Sequence, residues 1–340
     1  FAVTHFFNPP RYLKLFEVVP GPDCLPEITS FLMEYGEKFL GKTSVLAKDT
    51  PAFIGNRIGI FGIQSLFHQV NELDLTVEEI DKLTGPVIGR PKSATFRTVD
   101  VVGLDTLVHV ANGIHQNCPN DEAHDLFKLP DFIETMMDNQ WLGSKTGQGF
   151  YKKSANEQGK KEILSLDLNT LEYRPSKKVK FATLELTKTI DKPIDRFSVL
   201  INGKDKAGTF YRKNFGAMFA YVQNRIPEIS DELYRIDDAM KAGFGWELGP
   251  FEIWDAIGTQ AAYDQALELG KDIAPWVKEM LDKGVGSFYQ IKGSSIEYFD
   301  KDEKKYKALQ NQEGLTNLHV RKENNTIWKS DVASLIDLGN

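Results

Sequence analysis

Asp49-Thr50-Pro51-Ala52-Phe53-Ile54-Gly55-Asn56-Arg57 marks the point at which this chain changes character. Thr50-Pro51 reads as a helix N-cap followed by proline at the first helical position, where its missing N–H costs nothing. Residues 53–70 then run apolar nearly all round, the pattern of a helix buried inside a bundle. Upstream, alternation replaces the helical period: in residues 12–19, Leu13, Leu15, Glu17 and Val19 share one face, while Lys14, Phe16 and Val18 share the other. Glu17 is thereby a carboxylate on an otherwise apolar face. Ile28, Phe31, Leu32, Tyr35, Phe39 and Leu40 recur at helical spacing, with Pro26 near the start and Gly41 at the expected end, and Thr43 to Ala47 reads as a strand. Strand, strand, helix, strand is too little for a sheet covered on both faces, so residues 1–48 read as the trailing edge of a larger α/β unit.

Downstream the reading is helical. A second helix is predicted near Thr76, with Glu78 and Glu79 in its first turn, and others near 103–116 and 130–139. Lys145-Thr146-Gly147-Gln148-Gly149-Phe150-Tyr151 closes the unit with a glycine turn that plants two aromatics. The lysine-rich residues 152–198 read as a linker wrapping over a surface. The pattern then repeats: Ile80-Asp81, Gly89, Asp100 and Gly103 recur at nearly the same spacing as Ile236-Asp237, Gly245, Asp255 and Gly258. Each set follows a long apolar helix, the second at 208–226, and a period of about 156 residues is too long for a solenoid. It indicates a duplicated helical domain.

Composition bounds the function classes. The 340 residues carry 48 acidic and 41 basic side chains, a net charge of −7, with no long basic stripe to meet nucleic acid. No stretch is long and apolar enough to cross a bilayer, and residues 1–20 have no signal-peptide pattern, so a cytoplasmic location is expected. Cys24 and Cys118 form no motif, and the six histidines show no metal-ligand spacing. Gly36-Glu37-Lys38-Phe39-Leu40-Gly41-Lys42-Thr43 fits the P-loop expression, but helix precedes it and strand follows, the reverse of the order phosphate binding needs. It reads as a helix end.

Two sets of residues carry chemistry. His5, at the end of a short apolar strand that Pro9 and Pro10 forbid from continuing, has an imidazole suited to take a proton from an alcohol; Glu17 could fix its tautomer. The competing reading is a core histidine bonded to backbone. Asn8 and Asn56 each need partners for their amides, from backbone or from a ligand.

In combination, His5-Phe6-Phe7-Asn8-Pro9, Glu17, the 49–57 stretch and Lys145–Tyr151 closely resemble the L-3-hydroxyacyl-CoA dehydrogenase family, and the second helical copy resembles the duplicated C-terminal domain of its multifunctional fatty-acid oxidation members. The resemblance implies a mainly α fold: a remnant of a Rossmann NAD-binding domain at 1–48, helical domains of the 6-phosphogluconate dehydrogenase C-terminal type at 49–152 and 201–300, a linker at 153–200, and a tail at 301–340. It implies His5 as general base on the C3 hydroxyl, Glu17 as its orienting carboxylate, and Asn8 and Asn56 as substrate contacts, with hydride passing to NAD and 3-oxoacyl-CoA as product. Ala333-Ser334-Leu335-Ile336-Asp337-Leu338-Gly339 looks like the first strand of a crotonase-like hydratase. No G-x-G-x-x-G occurs in the chain, so the residues that would bind the cofactor are not identified and the chain alone is expected to be inactive. Acyl-CoA is the implied substrate, and a homodimer, or packing against the NAD and hydratase domains, the implied assembly. Two other readings stay open: a noncatalytic helical scaffold for dimerisation or docking, and an NAD-dependent dehydrogenase of free hydroxy acids.

Overall fold

A computed structural model describes residues 1–155, 158–293, 295–309, 322, 325–330 and 332–338. Strands β1 (Ala2–Phe6), β2 (Leu15–Pro20) and β3 (Thr43–Leu46) form one sheet in the order β1-β2-β3, with β1 antiparallel and β3 parallel to β2. The parallel crossover is helix α1 (Pro26–Lys38), as parallel pairing requires. Gly36 is the buried residue of α1, and a Cβ there would lie 2.6 Å from the Phe16 ring, so the P-loop-like glycine is a helix-on-strand contact. The expectation of an uncovered sheet is corrected: Leu15, Phe16, Glu17, Val18 and Val19 are all buried. One face of β2 meets α1. The other meets the start of α2 (Gly55–Glu72) and α10 (Leu233–Phe244), whose Gly243 would place a Cβ 2.8 Å from Leu15. The apolar stripe of α1 is not core: Ile28, Phe31, Tyr35 and Phe39 are exposed, the last three rings stacked at 5.7 and 5.4 Å.

Behind this sheet lie two helical units with one order of elements. The first has α2, α3 (Val77–Leu83), α4 (Phe96–Val102), α5 (Leu104–Asn117) and α6 (Asp131–Asp138). The second has α9 (Lys206–Asn224), α10, α11 (Pro250–Ile257), α12 (Thr259–Glu268) and α13 (Pro275–Asp282). Each ends in a three-stranded antiparallel sheet: β4 (Tyr151–Ala155), β5 (Lys161–Leu166) and β6 (Tyr173–Pro175) in one, β7 (Tyr289–Lys292), β8 (Ser295–Asp300) and β9 (Lys305–Ala308) in the other.

The repeated aspartates explain why the motif recurs. Asp81 accepts the amides of Phe96 (2.7 Å) and Arg97 (3.1 Å) and the hydroxyl of Tyr151 (2.8 Å); Asp237 accepts those of Phe251 (2.9 Å) and Glu252 (3.1 Å) and the hydroxyl of Tyr289 (2.8 Å). Asp100 takes the amides of Phe150 and Tyr151, both at 2.8 Å, while Asp255 takes those of Phe288 (2.8 Å) and Tyr289 (2.9 Å). Each pair of carboxylates thus caps a helix start and pins the aromatic pair that ends the unit. Gly89 and Gly245 take φ of +68° and +66°, and Gly103 and Gly258 +106° and +102°, conformations glycine adopts without a Cβ penalty.

The lysine-rich segment is more than a linker. It contains β4–β6, tied to α3 by Arg174 on Glu78 (2.7 Å), then α7 (Ala182–Leu186) and α8 (Phe197–Ile201). Near the end of the chain, β10 (Thr326–Lys329) pairs antiparallel with β11 (Ser334–Ile336); residues 310–321 of the expected tail lie outside those described. Among the described residues, no helix is long and apolar enough to cross a membrane.

Candidate functional site

His5 and Glu17 are direct cross-strand partners in the β1–β2 register, so their side chains leave the same face of the sheet. His5 Nδ1 lies 2.6 Å from Glu17 Oε2. The carboxylate is fully buried, whereas the imidazole is 31% exposed. Phe7 meets the imidazole edge-on at 5.3 Å, and Phe53 packs tilted at 5.6 Å. With Nδ1–H donated to the carboxylate, the Nε2 lone pair is left to accept a proton.

The other carboxylate oxygen holds the start of α2. Glu17 Oε1 accepts the amides of Ile54 (3.0 Å) and Gly55 (2.9 Å), two of the donors a helix leaves without intrahelical partners. This corrects the expectation that Thr50 caps the helix. The cap position is Ile54, with no side-chain cap of its own, and residues 51–54 form a turn in which Ala52 and Phe53 take left-handed φ of +65° and +50°. Such conformations cost on the order of 1–3 kcal/mol each, and persist where the surroundings over-determine them. Here the turn aims the Phe53 ring at His5 and delivers two amides to Glu17. The two amides and the positive end of the helix face this carboxylate. Gly55 is required by crowding, since a Cβ would stand 2.6 Å from the Phe7 ring and 3.0 Å from Leu15.

Asn56 follows Gly55 in the first turn of α2 and is half-buried; Asn8 is exposed just beyond β1. Neither amide has a protein hydrogen bond among the described residues, which leaves both free for a ligand. The structure therefore joins His5 to Glu17 directly, places Asn56 next in the chain to the Gly55 amide that Glu17 accepts, and leaves Asn8 exposed beyond β1.

Sequence reasoning missed the two amides, the Phe7–Phe53 bracket and a buried ionic network at Arg57. Arg57 donates from Nε to the Tyr221 hydroxyl (2.7 Å) and from Nη2 to Asp121 (2.6 Å) and Glu228 (2.9 Å). Burial opposes its charge, but Tyr221, Glu228 and Asp121 outweigh that and raise it above the ordinary arginine value. An arginine inside an all-round apolar helix was the available signal, since a buried guanidinium requires partners.

Comparisons with known proteins bear on this geometry. Residues 1–50 match the family model of the 3-hydroxyacyl-CoA dehydrogenase NAD binding domain, and residues 53–153 that of the 3-hydroxyacyl-CoA dehydrogenase C-terminal domain. The chain is 44% identical over all its 340 residues to a Bacillus subtilis protein named a probable 3-hydroxyacyl-CoA dehydrogenase, covering 42% of that protein. It is 35% identical over 152 residues to the mitochondrial hydroxyacyl-coenzyme A dehydrogenase of Sus scrofa, 45% of this chain and 47% of that one. The chain thus spans less than half the length of these relatives. A crystal structure of 3-hydroxybutyryl-CoA dehydrogenase from Escherichia coli K12 superposes with a TM-score of 0.58 at 18% identity, over 83% of this chain and 71% of that one, a likeness of fold. These matches support NAD as the cofactor. They lend no support to a crotonase-like continuation after residue 333 or to inactivity of the chain.

Proposed function

We propose, from the match of residues 1–50 and 53–153 to the two 3-hydroxyacyl-CoA dehydrogenase domain models, that this chain carries the proton-transfer machinery of an NAD-dependent oxidation of L-3-hydroxyacyl-CoA to 3-oxoacyl-CoA, as in fatty-acid β-oxidation. The observation that carries the reading is the His5–Glu17 bond, with Glu17 locked by two amides and Nε2 left free. His5 removes the hydroxyl proton; Glu17 holds the Nδ1–H tautomer and stabilises the imidazolium that forms. Asn56, and Asn8 at the rim, donate amide hydrogens to the substrate oxygen and hold it within reach of Nε2. The rings of Phe7 and Phe53 flank the imidazole on two sides.

NAD accepts the hydride when bound, yet the residues present do not complete its site. The sequence has no glycine-rich turn between a strand and a helix to cradle a pyrophosphate. On the same reading, residues 49–152 and 201–300 are duplicated helical domains, supported by the matching circuits of Asp81 with Asp100 and of Asp237 with Asp255. The scaffold reading loses its motive. The apolar circumference of α2 is covered within the chain, by Tyr221 stacked at 3.8 Å on Phe61 and by Phe244 over Gly59.

The test is NAD-dependent oxidation of 3-hydroxybutyryl-CoA by the protein in which this chain occurs. His5→Ala should lower kcat by roughly 10²- to 10⁴-fold and leave Tm nearly unchanged, the side chain being partly exposed. Unchanged turnover in that variant, or greater activity on the free hydroxy acid than on the thioester, would refute the proposal.

A further inference from the structure

We infer that the second helical unit braces the proton-transfer site, and that Arg57 and Tyr221 are positioning residues acting through the turn that carries Phe53, the two Glu17-binding amides and Asn56. The inference rests on the proposed function and deepens it.

Three tethers run from the second unit to the elements around the dyad. The amide of Lys14, immediately before β2, donates to Ala242 O in α10 (3.1 Å). Lys48, just past β3, donates its amide to Ile229 O (3.1 Å), and its Nζ to Pro227 O (2.6 Å) and Asp231 (2.5 Å). Arg57, in the first turn of α2, makes the third and most buried.

The third tether is a network rather than a pair. The Tyr221 hydroxyl accepts from Arg57 Nε and donates to Asp121 Oδ2 (2.9 Å). Arg225 meets Asp121 at 3.2 Å and Glu228 at 2.5 Å, and also bonds Glu122. Arg57 and Asp121 are fully buried. Arg57 also reaches Pro51 O at 3.4 Å, so one side chain grips the strained turn from inside while its Nε is held by Tyr221 of α9 and its Nη2 by Glu228, just after α9, and by Asp121, just after α5 in the first unit.

The physical argument is one of restraint. Two non-glycine residues in left-handed conformations relax unless the ends of their turn are fixed. Both ends are fixed here: Lys48 before the turn is bonded to the second unit, and Arg57 after it is bonded to Tyr221 and Glu228 of the second unit together with Asp121 of the first. If the turn relaxes, the Ile54 and Gly55 amides leave Glu17, the carboxylate is freed to rotate, and the Nδ1–H tautomer of His5 loses its anchor. A network serving stability alone would lower Tm on disruption and leave the imidazole as it was.

Tyr221→Phe separates the two, because it keeps the ring on Phe61 and removes only the hydroxyl. Two measurements apply: steady-state oxidation of 3-hydroxybutyryl-CoA in the protein that carries this chain, and ¹⁵N spectra of the histidine-labelled 340-residue chain, reading the Nδ1–H proton and tautomer of His5. We expect kcat to fall about 10-fold with KM for NAD unchanged, as for a small misplacement of catalytic groups, and the Nδ1–H signal to broaden or shift. Glu228→Gln, which neutralises a partly exposed member of the network, should act in the same direction to a smaller extent. A lower Tm with unchanged kcat and an unchanged His5 signal in both variants would overturn the inference. If the unaltered protein does not oxidise hydroxyacyl-CoA at all, the proposed function fails, and the His5 signal alone decides whether the brace exists.

Discussion

The long helices α2 and α9 open the two units, and each begins against a carboxylate, but the carboxylates come from different places. In α9 the carboxylate is local: Asp205, at the N-cap, accepts the amide of Gly208 (3.1 Å) and the amide and hydroxyl of Thr183 (3.0 and 2.6 Å). In α2 it is Glu17, delivered from the middle of the β-sheet. The electrostatic task is the same, satisfying orphan amides and complementing the helix dipole. That cap ties its helix to the start of α7 through Thr183 and meets no imidazole. A cap brought from a sheet can couple the helix to whatever else it touches, and Glu17 touches His5. The site exists in the first unit because its helix start was left for another element to complete.

Glu17→Gln is the severest test of this contrast. The Gln oxygen can still accept the Ile54 and Gly55 amides, but its NH₂ then faces His5 Nδ1 and imposes the wrong tautomer, so kcat should fall on the order of 10²- to 10⁴-fold with a small change in Tm. Asp205→Ala should do the opposite, losing about 0.5–2 kcal/mol in a denaturant titration with kcat unaltered. Comparable kinetic losses in both would break the distinction.

Glycines of α2 sharpen it. Gly55→Ala drives a Cβ into Phe7 and Leu15 and should cost about 1–3 kcal/mol. Gly62→Ala, seven residues along the same helix with no atom within 4 Å of its Cβ, should gain up to about 1 kcal/mol. Thermal melts of the two variants moving in the same direction would show that crowding at the site is not what selects Gly55.

Smallest is an effect the two units share. Burial pushes Asp100 and Asp255 up to about 6 from an ordinary 3.8, against the amide donors that favour the ionised form. The folded state then binds these protons more tightly than the unfolded one, so their contribution is full below about pH 4 and is lost as the pH rises through about 6. Asn at either position should flatten that part of a Tm–pH profile. ¹³C titration of the two carboxyls should give similar midpoints, and midpoints far apart would show that the circuits are not equivalent.

Much of this was legible in the sequence. The strand alternation around Glu17, the helix ending before Gly41, the helix near Thr76 with Glu78 and Glu79 in its first turn, and the spacing of the repeated aspartates all depend on local periodicity or backbone preference. The strands at 151–175 were not legible, because lysines on a solvated face hide the period-two pattern. Nor was the exposure of Phe31, Tyr35 and Phe39, since periodicity marks a face without saying what covers it.

The candidate site divides along the same line. The sequence by itself determined which side chains are available: one histidine at a strand end, one carboxylate on an apolar face, and a glycine–asparagine–arginine run at a helix start. Tertiary structure alone decided that His5 stands opposite Glu17, that the second oxygen of Glu17 caps α2, and that Arg57 is gripped by residues more than 160 positions away. Register and capping between distant elements depend on where the chain closes on itself, and a local pattern carries no record of that closure.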